Sequence, residues 1–345
     1  MKIGNFEINK GKTFIIAELS ANHNQDFDLA VKTIKAAKEA GADAIKLQTY
    51  KPDSLTIDAD TKYFAPKTQG IWKGYTPYKL YEEAYTPWEW QPKLKKIAEE
   101  EGLICFSSPF DFEGVDFLDA MDVPAYKIAS FEITDIPLIK YTASKMKPMI
   151  ISTGIATLAD IEAAVNACRQ VGNNNIAILK CTSSYPAPYD EINLKTIPEI
   201  PKIFNTLVGL SDHTMGFTVP IAAVSLGASI VEKHFILDRS LGGPDSSFSM
   251  EPDEFKQMVD SIRITEKALG SINFNLTENT IKSRNSRRSL FVVKDIKKDE
   301  ILSKYNIRSI RPGNGIEPKH YEDILGKRAI KDVKKGYPLD WGMFE

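Results

Sequence analysis

The chain has 345 residues, 43% of them hydrophobic and 26% charged, which suits one large α/β domain and a small appendage around a well-filled core. The net charge of −2 is unevenly spread, because residues 281–345 carry 16 Lys plus Arg against 9 Asp plus Glu. Acidic residues interrupt this basic tail and no basic run exceeds two residues, so the pattern favours an anionic small molecule as partner and does not predict nucleic-acid binding.

Eight short apolar runs recur along the first 240 residues, and stretches with helical periodicity separate them. The runs are FIIAEL, AIKLQTY, ICFSSP, AYKIAS, PMIISTG, IAILKCTS, TLVGLSDH and SIVEKHF. The helical stretches include residues 28–42, 158–172 and 252–270. Because parallel strands need crossover helices and eight strands close a sheet, the sequence predicts an α/β fold, a (β/α)8 TIM barrel over residues 1–270. An open doubly wound sheet is the alternative.

An aromatic-rich insertion, residues 51–86, follows the second predicted strand. Loops of this length are uncommon unless they carry function. On the C-terminal side of a barrel strand, such a loop is expected to form part of the active-site wall.

Beyond Gly270 the pattern fades into a polar stretch, residues 271–288, which we interpret as a linker. Residues 289–345 then contain the runs SLFVVKDI, IRSIRPG and RAIKDVKKG, separated by turns. They predict a small β-rich C-terminal domain, too small to be robust unless it packs on something else.

Three cysteines, Cys105, Cys168 and Cys181, are an odd number with no metal-type spacing. They predict no disulfide framework, which suits a reducing cytoplasm. The N-terminus lacks the apolar region of a signal peptide, and the longest apolar stretch, residues 217–231, is too short for a membrane span.

In a barrel the active site forms at the C-terminal ends of the strands. More polar residues stand there than a barrel core tolerates without a ligand. They are Glu18, His23, Lys46, Gln48, Ser107, Ser108, Lys127, Ser130, Glu132, Ser152, Thr182, Ser183, Ser211, Asp212, His213 and His234.

Two of these residues are lysines on separate strands, and Lys46 has the polar partner Gln48 two positions away on the same strand face. With several small hydroxyls nearby, Lys46 and Lys127 suit a ligand that carries a phosphate and a carboxylate. The alternative is that they pair structurally with buried acids such as Glu18.

Two histidines, His213 and His234, end the seventh and eighth runs, which are neighbours in a barrel. Their imidazoles could share a divalent ion such as Mn, Fe, Co or Zn, with water and substrate as the other ligands. The alternative is a pair of core residues or a general base. Asp245, in the Gly-Pro loop SLGGPDSSFSM, is a candidate for binding substrate hydroxyl or amide groups, unless the loop is only a turn.

Taken in order, the motifs AELSANH, KLQTY, FSSPF, KIAS, STGIAT, CTSSYP, GLSDH, EKHF and GGPDSSFSM resemble the sialic acid synthase family. The tail motif RPGNG is similar to the SAF (antifreeze-like) domain of that family. The resemblance covers nearly the whole chain.

The resemblance implies that phosphoenolpyruvate condenses with an open-chain amino sugar, giving a nonulosonic acid and phosphate. It implies a divalent metal on His213 and His234, with Mn as first choice and Mg or Co as alternatives. The resemblance also assigns residues to the two substrates. Those for phosphoenolpyruvate are Lys46, Ser108, Lys127, Ser130, Ser152, Ser183 and Ser211. Those for the sugar are Gln48, Glu132, Tyr185, Asp245 and Arg311.

The motif variants at residues 20–22, 183 and 244–249 favour a 6-deoxy diacetamido hexose within this family, with a neuraminate-type or legionaminate-type sugar as the alternative. AELSANH stands where the neuraminate branch has a Gly-containing version, and Ser183 where that branch has Asn. Apolar surface for the sugar methyl group is expected from the aromatic residues 63–90. A non-catalytic carbohydrate-binding protein is the alternative of another class.

Two further expectations concern catalysis and assembly. Glu132 is the first choice and Glu18 the second for the base that takes a proton from water; the alternative for Glu18 is to orient His23 or a lysine. A domain-swapped homodimer is expected, in which Arg311 completes the site of the other subunit, because an 18-residue polar linker can reach a neighbouring barrel. The alternative is a surface charge within its own tail.

Overall fold

The computed structural model describes residues 1–8 and 11–345. These residues divide into two compact units, Met1–Gly270 and Ser271–Glu345. The strands are β1 Lys2–Ile3, β2 Phe6–Glu7, β3 Phe14–Glu18, β4 Ala44–Thr49, β5 Ile104–Pro109, β6 Tyr126–Ile128, β7 Met149–Ser152, β8 Ile176–Cys181, β9 Leu207–Asp212, β10 Ile230–His234, β11 Ser289–Val292 and β12 Ile307–Ile310. The α-helices are α1 Phe27–Glu39, α2 Pro52–Leu55, α3 Pro77–Ala84, α4 Gln91–Glu100, α5 Phe112–Ala120, α6 Ile136–Ser144, α7 Leu158–Gln170, α8 Ile200–Phe204, α9 Thr218–Ser225, α10 Pro252–Leu269, α11 Glu278–Arg284 and α12 Tyr321–Ile324.

The first unit is a closed barrel of eight parallel strands, β3 to β10, in chain order, with β10 paired to β3. Each predicted apolar run forms one barrel strand, so the predicted TIM barrel is confirmed and the open sheet is wrong. The strands are almost entirely buried because helices cover their outer faces. Within the described residues, no helix is both long and apolar enough to cross a bilayer.

A short N-terminal hairpin, β1 paired with β2, precedes the barrel and was not expected from the sequence. Its Ile3 is fully buried and packs in one cluster with Phe14 and Ile104, the first residues of β3 and β5. The hairpin therefore lies at the N-terminal end of the barrel, away from the strand ends where an active site forms.

Strand alternation decides which side chains face the barrel interior. In β4, Ile45 and Leu47 pack outward with residues of α1 and α4, so Lys46 and Gln48 face inward. In β10, Val231 belongs to the same outer cluster, so Glu232 and His234 face inward. This alternation brings polar side chains from successive strands into one place.

The second unit has its own hydrophobic core, which includes Leu290, Ile307, Ile324 and Phe344. Strands β11 and β12 pair antiparallel, whereas the third predicted strand, in RAIKDVKKG, makes only isolated bridges. Helix α11 lies inside the stretch interpreted as a linker. The Thr277 side chain caps its N-terminus, and basic residues occupy its last turn.

Candidate active site

Two lysines and two glutamates meet inside the barrel near the C-terminal ends of its strands. Lys46 Nζ lies 2.5 Å from Glu18 Oε2 and 3.8 Å from Glu232 Oε1. Lys127 Nζ also lies 3.8 Å from Glu232 Oε1 and donates to Ser152 Oγ at 2.6 Å. All these side chains are buried. The structural pairing of Lys46 with Glu18, which the sequence offered as an alternative, is therefore present.

Glu232 is the member of this group that the sequence analysis missed. It stands two residues before His234 in the motif VEKHF, so both side chains lie on the inner face of β10. The two-residue spacing from His234 could have identified Glu232 as an inward-facing residue. The neighbouring Lys233 hides this pattern, because adjacent opposite charges are typical of a surface.

Burial sets the charge of the two glutamates in opposite ways. It raises the pKa of Glu18 to about 7, although Lys46 opposes the rise. Burial alone would also raise the pKa of Glu232, but Lys127 and Lys46 outweigh burial and lower that pKa. Near neutral pH Glu232 is therefore ionised and Glu18 exchanges a proton. Burial lowers the pKa of Lys127, and a bound anion would favour the charged form of this lysine.

Serine hydroxyls surround these charges. Ser108 Oγ accepts from Lys46 Nζ at 3.4 Å, and Ser211 Oγ donates to Glu232 Oε1 at 3.3 Å. Small hydroxyls that can donate, beside two ammonium groups, form a suitable environment for phosphate and carboxylate oxygens.

Two more predicted serines, Ser130 and Ser183, meet at Gly154. Its backbone N–H donates to Ser130 Oγ at 3.0 Å. A Cβ at Gly154 would overlap Ser183 Oγ and crowd Ser130 Oγ. Because Gly154 has no side chain, the hydroxyls of Ser130 and Ser183 can both lie beside its backbone N–H.

The rings of His213 and His234 lie with their centroids 5.4 Å apart. His213 Nδ1 is 3.0 Å from the Thr182 carbonyl, which can only accept, so Nδ1 carries the hydrogen and Nε2 keeps its lone pair. Burial lowers the pKa of His234 well below its usual value, and His234 Nδ1 lies 3.7 Å from Asp245 Oδ2. Burial alone would lower the pKa of His213, but Cys181, the Thr182 carbonyl and Asp212 together outweigh burial and raise it, so a cation there competes with a proton.

These two imidazoles fit a divalent ion. His234 Nδ1 is buried without a hydrogen-bond partner among the described residues. Across residues 1–8 and 11–345, no group of three or more His, Cys, Asp or Glu could hold a metal ion. An ion shared by His213 and His234 would therefore need water and substrate for its remaining positions.

A cavity of about 350 Å³ opens at the C-terminal side of the barrel. Its lining includes the predicted sugar contacts Gln48, Glu132, Tyr185 and Asp245, together with His234 and Ser20. The insertion after β4 supplies much of the rest, including Leu55, Lys67, Trp72, Leu80, Tyr81 and Ala84. The prediction that residues 51–86 form part of the site wall is confirmed. Arg311 belongs to the second unit, where its side chain is exposed.

Glu132 is the better placed of the two candidate bases. It lines the cavity, and burial raises its pKa to about 7. Its Oε2 is buried and accepts no hydrogen bond from the described residues. Glu18 lies below the cavity, where its two oxygens are held by Lys46 and Gln48. The alternative role for Glu18, orienting a lysine, is observed.

His23 does not join the other strand-end residues. Its Nδ1 accepts from the Gln25 N–H at 3.1 Å, its Nε2 is 3.1 Å from Thr86 Oγ1, and its ring packs edge-on against Trp90. Burial lowers its pKa to about 4, so the ring is neutral and serves the structure.

Ser107 and Asp212 are also off the site, because strand alternation points them outward. Ser107 Oγ lies 2.6 Å from Thr49 Oγ1, and Asp212 Oδ2 accepts from Lys233 Nζ at 2.5 Å. Their inward-facing neighbours, Ser108 and Ser211, are the members of each pair that reach the site.

The parallel barrel carries two buried lysines, a ring of hydroxyls and two imidazoles near a cavity of this size. Such a site is that of an enzyme that binds a small anionic substrate beside a polar one. Residues 33–274 match the NeuB family, residues 287–345 match the SAF domain, and the chain belongs to the NeuB family.

Full-length relatives and solved structures agree with this membership. The chain is 49% identical to a pseudaminic acid synthase of Campylobacter jejuni over 100% of both chains, and 46% identical to that of Helicobacter pylori over 94% of this chain and 96% of the relative. The crystal structure of the N-acetylneuraminic acid synthetase from Leptospira borgpetersenii superposes with a TM-score of 0.73 at 31% identity, over 83% of this chain and 96% of that one.

Proposed function

We propose that this chain condenses phosphoenolpyruvate with 2,4-diacetamido-2,4,6-trideoxy-β-L-altropyranose and water, giving pseudaminic acid and phosphate. The observation that carries the reaction class is the convergence of Lys46 and Lys127 with a ring of serines at the base of a sugar-sized cavity. The choice of sugar rests on 46% to 49% identity to pseudaminic acid synthases over nearly the full chain.

Phosphoenolpyruvate binds at the base of the site. Lys46 and Lys127 offer two buried ammonium groups to its phosphate and carboxylate, and the hydroxyls of Ser130, Ser152 and Ser211 complete the contacts. Lys46 and Lys127 exchange part of their contact with Glu18 and Glu232 for the incoming anion. Serine donors on several strands orient the anion so that its methylene carbon faces the cavity.

The open-chain sugar occupies the cavity above. Gln48, Tyr185 and Asp245 offer polar groups to its hydroxyl and acetamido substituents, and the aromatic wall around Trp72 and Tyr81 offers apolar surface to the C6 methyl group. Compared with a sugar that carries one acetamido group, the proposed sugar has a second acetamido group in place of a hydroxyl. The methyl of this second group suits a cavity whose wall is rich in aromatic rings.

His213 and His234 would hold a divalent ion, Mn by preference and Mg or Co as alternatives. When bound, the ion supplies Lewis-acid polarisation of the sugar aldehyde. The Thr182 carbonyl fixes the tautomer of His213 by accepting from Nδ1, which keeps Nε2 available as a ligand.

The bond changes balance as an addition followed by elimination. The methylene carbon of phosphoenolpyruvate forms the new C–C bond to the aldehyde carbon, and the enol carbon is left positively charged. The aldehyde oxygen becomes an alkoxide and takes up a proton to give a hydroxyl. Water adds to the positively charged carbon while Glu132 takes a proton from that water, which gives a tetrahedral intermediate with a hydroxyl and a phosphate on one carbon. The C–O bond to phosphate then breaks, the hydroxyl loses its proton to the departing phosphate, and the 2-keto acid remains.

We further propose a domain-swapped homodimer in which Arg311 reaches the site of the other subunit and donates to the sugar. An Arg presents a rigid fork of donors, which suits an acetamido carbonyl. The three cysteines are free and buried, which supports a reducing compartment such as the cytoplasm.

A comparison of sugars tests the proposal. Purified protein with phosphoenolpyruvate and Mn is offered the 6-deoxy diacetamido altrose, its stereoisomer that leads to N,N'-diacetyllegionaminic acid, or N-acetylmannosamine. Phosphate release and the product mass are measured for each. We expect the altrose to give the highest kcat/KM. Faster turnover of either other sugar would replace the sugar assignment, and no phosphate release with any sugar would favour a non-catalytic binding protein.

A further inference from the structure

Ser20 has a backbone conformation that is unusual for its residue type. Its φ is 46°, in the left-handed region where Gly is the default residue. A serine there is strained, since its Cβ crowds the backbone. Strain of this kind persists only where the surroundings hold it, and it concentrates at ligand sites.

The hydroxyl of Ser20 connects two predicted sugar contacts. Ser20 Oγ donates to Asp245 Oδ2 at 2.5 Å and accepts from Gln48 Nε2 at 3.0 Å. Ser20 also lines the cavity. A chain of donors thus runs from the Gln48 amide through the Ser20 hydroxyl to the Asp245 carboxylate.

This series of hydrogen bonds fixes the direction of the Gln48 amide. Its Nε2 donates to Glu18 Oε1 at 3.0 Å and to Ser20 Oγ, which occupies both of its hydrogens. An ionised Glu18 can only accept, so in that state the amide cannot turn over without losing the bond to Glu18. The free Gln48 oxygen and the Asp245 carboxylate are therefore both acceptors.

The loop that carries Asp245 is held by other contacts as well. Asn22 Nδ2 donates to the Phe235 carbonyl at 2.9 Å, and Asn24 Nδ2 donates to the Leu241 carbonyl at 3.1 Å. A Cβ at Gly243 would overlap Asn24 Oδ1, so the loop approaches this residue closely. Loss of the Ser20 hydroxyl therefore removes the side-chain hydrogen bond of Asp245, which keeps its interaction with the Ala21 backbone, and leaves the loop in place.

We propose that Ser20 is a specificity-determining residue: its hydroxyl holds Gln48 and Asp245 as a pair of oriented acceptors for the amide N–H donors of a diacetamido sugar. This rests on the proposed function. A sugar with a single acetamido group offers one amide donor fewer and gains less from the pair, so Ser20 contributes to the choice between these substrates.

The test uses two substitutions that remove the same hydroxyl. Ser20→Gly also relieves the backbone strain, whereas Ser20→Ala keeps a Cβ at positive φ. Because the lost bond is charge-assisted, we expect both variants to raise KM for the 6-deoxy diacetamido sugar about tenfold. We expect kcat and KM for phosphoenolpyruvate to change by less than about twofold, and the preference over N-acetylmannosamine to fall about tenfold.

Met146→Gly is the matched control. Met146 has φ 59° and an exposed side chain, and it lies between α6 and β7, at the end of the barrel opposite the cavity. Like Ser20→Gly it replaces a side chain at positive φ by glycine, but it should leave every kinetic constant unchanged.

Unchanged sugar KM in both folded Ser20 variants would overturn the proposal. A change in Ser20→Gly without one in Ser20→Ala would also overturn it, because the backbone and not the hydroxyl would then be responsible. Turnover of the diacetamido sugar by the unsubstituted protein tests the proposed function separately.

Discussion

Lys233 and Asp212 form a buried ion pair on the outer face of the barrel, and this pair lies behind both candidate metal ligands. Lys233 Nζ donates to Asp212 Oδ2 at 2.5 Å and to the Thr214 carbonyl. Asp212 in turn accepts from the Thr214 N–H at 3.1 Å. The Lys233 ammonium group therefore holds Asp212 and Thr214, the residues on either side of His213. Lys233 itself directly precedes His234 in the chain.

Replacing Lys233 by Met is expected to destabilise the fold by about 3–5 kcal/mol, because it leaves the Asp212 carboxylate buried without its cation. The double variant Asp212→Asn, Lys233→Met removes both charges and should recover most of that stability. Urea unfolding of the three proteins measures these differences.

The same double variant should bind Mn about 10- to 100-fold more weakly, since groups behind metal ligands orient them. Titration followed by the electron paramagnetic resonance of free Mn, with phosphoenolpyruvate present, gives the affinity. Arg263→Met is the control, because it breaks the ion pair with Asp43 at the N-terminal end of the barrel. Equal loss of Mn affinity in this control would show that general destabilisation is responsible.

A pH dependence follows from Glu132. Burial raises its pKa to about 7, with Lys127 opposing and Asp135 adding to the rise. A base must be deprotonated to accept a proton, so kcat should fall as the pH drops below about 7. Glu132→Gln should lower kcat by about 10²- to 10⁴-fold and abolish this acid limb. A wild-type kcat that is flat between about pH 5.5 and 8.5 would contradict the assignment of Glu132 as base.

Removal of divalent ions should abolish turnover, and Mn should restore it, because the proposed ion polarises the sugar aldehyde. His213 and His234 have no third protein ligand among the described residues, so these two imidazoles would hold the ion. The double variant His213→Ala, His234→Ala should stay inactive with added Mn and show no Mn binding by electron paramagnetic resonance. His320→Ala changes a histidine of the second unit and should behave as wild type. Activity of the metal-free double variant would exclude a metal role for this pair.

Subunit mixing tests the arrangement proposed for Arg311. His234→Ala and Arg311→Ala are each expected to be inactive, and they are unfolded and refolded together. In a swapped dimer one of the two hybrid sites combines an intact barrel with an intact arm, so about a quarter of wild-type activity should return. Hybrid dimers that form but remain inactive would show that Arg311 serves its own chain.

The barrel and the inward-facing site residues could be predicted because each depends on a local pattern. An apolar run of strand length marks each strand, and Lys46 with Gln48 shows the two-residue spacing of one strand face. The small C-terminal unit was also predictable in outline. Helix α11 was not, because its residues are polar all round and only the Thr277 cap marks its start.

Other features depend on which of two neighbouring residues faces inward, and the sequence does not specify that choice. Ser107 and Ser108 are chemically identical, but only Ser108 reaches Lys46. His23 follows β3 closely, but a turn with left-handed Asn24 and Gln25 carries its ring away from the cavity. Such distinctions depend on register and loop geometry, which form only in the folded chain.

The separation between strand residues beneath the cavity and loop residues around it has an evolutionary consequence. Lys46, Lys127, Ser152 and Ser211, which are proposed to bind phosphoenolpyruvate, stand on strands, where any shift disturbs the whole hydrogen-bonded barrel. Part of the wall of the proposed sugar cavity stands on residues 51–86, where changes in length or sequence cost little free energy. A lineage can therefore reshape this part of the sugar pocket by rebuilding the insertion, while the strands that carry the proposed condensation stay intact.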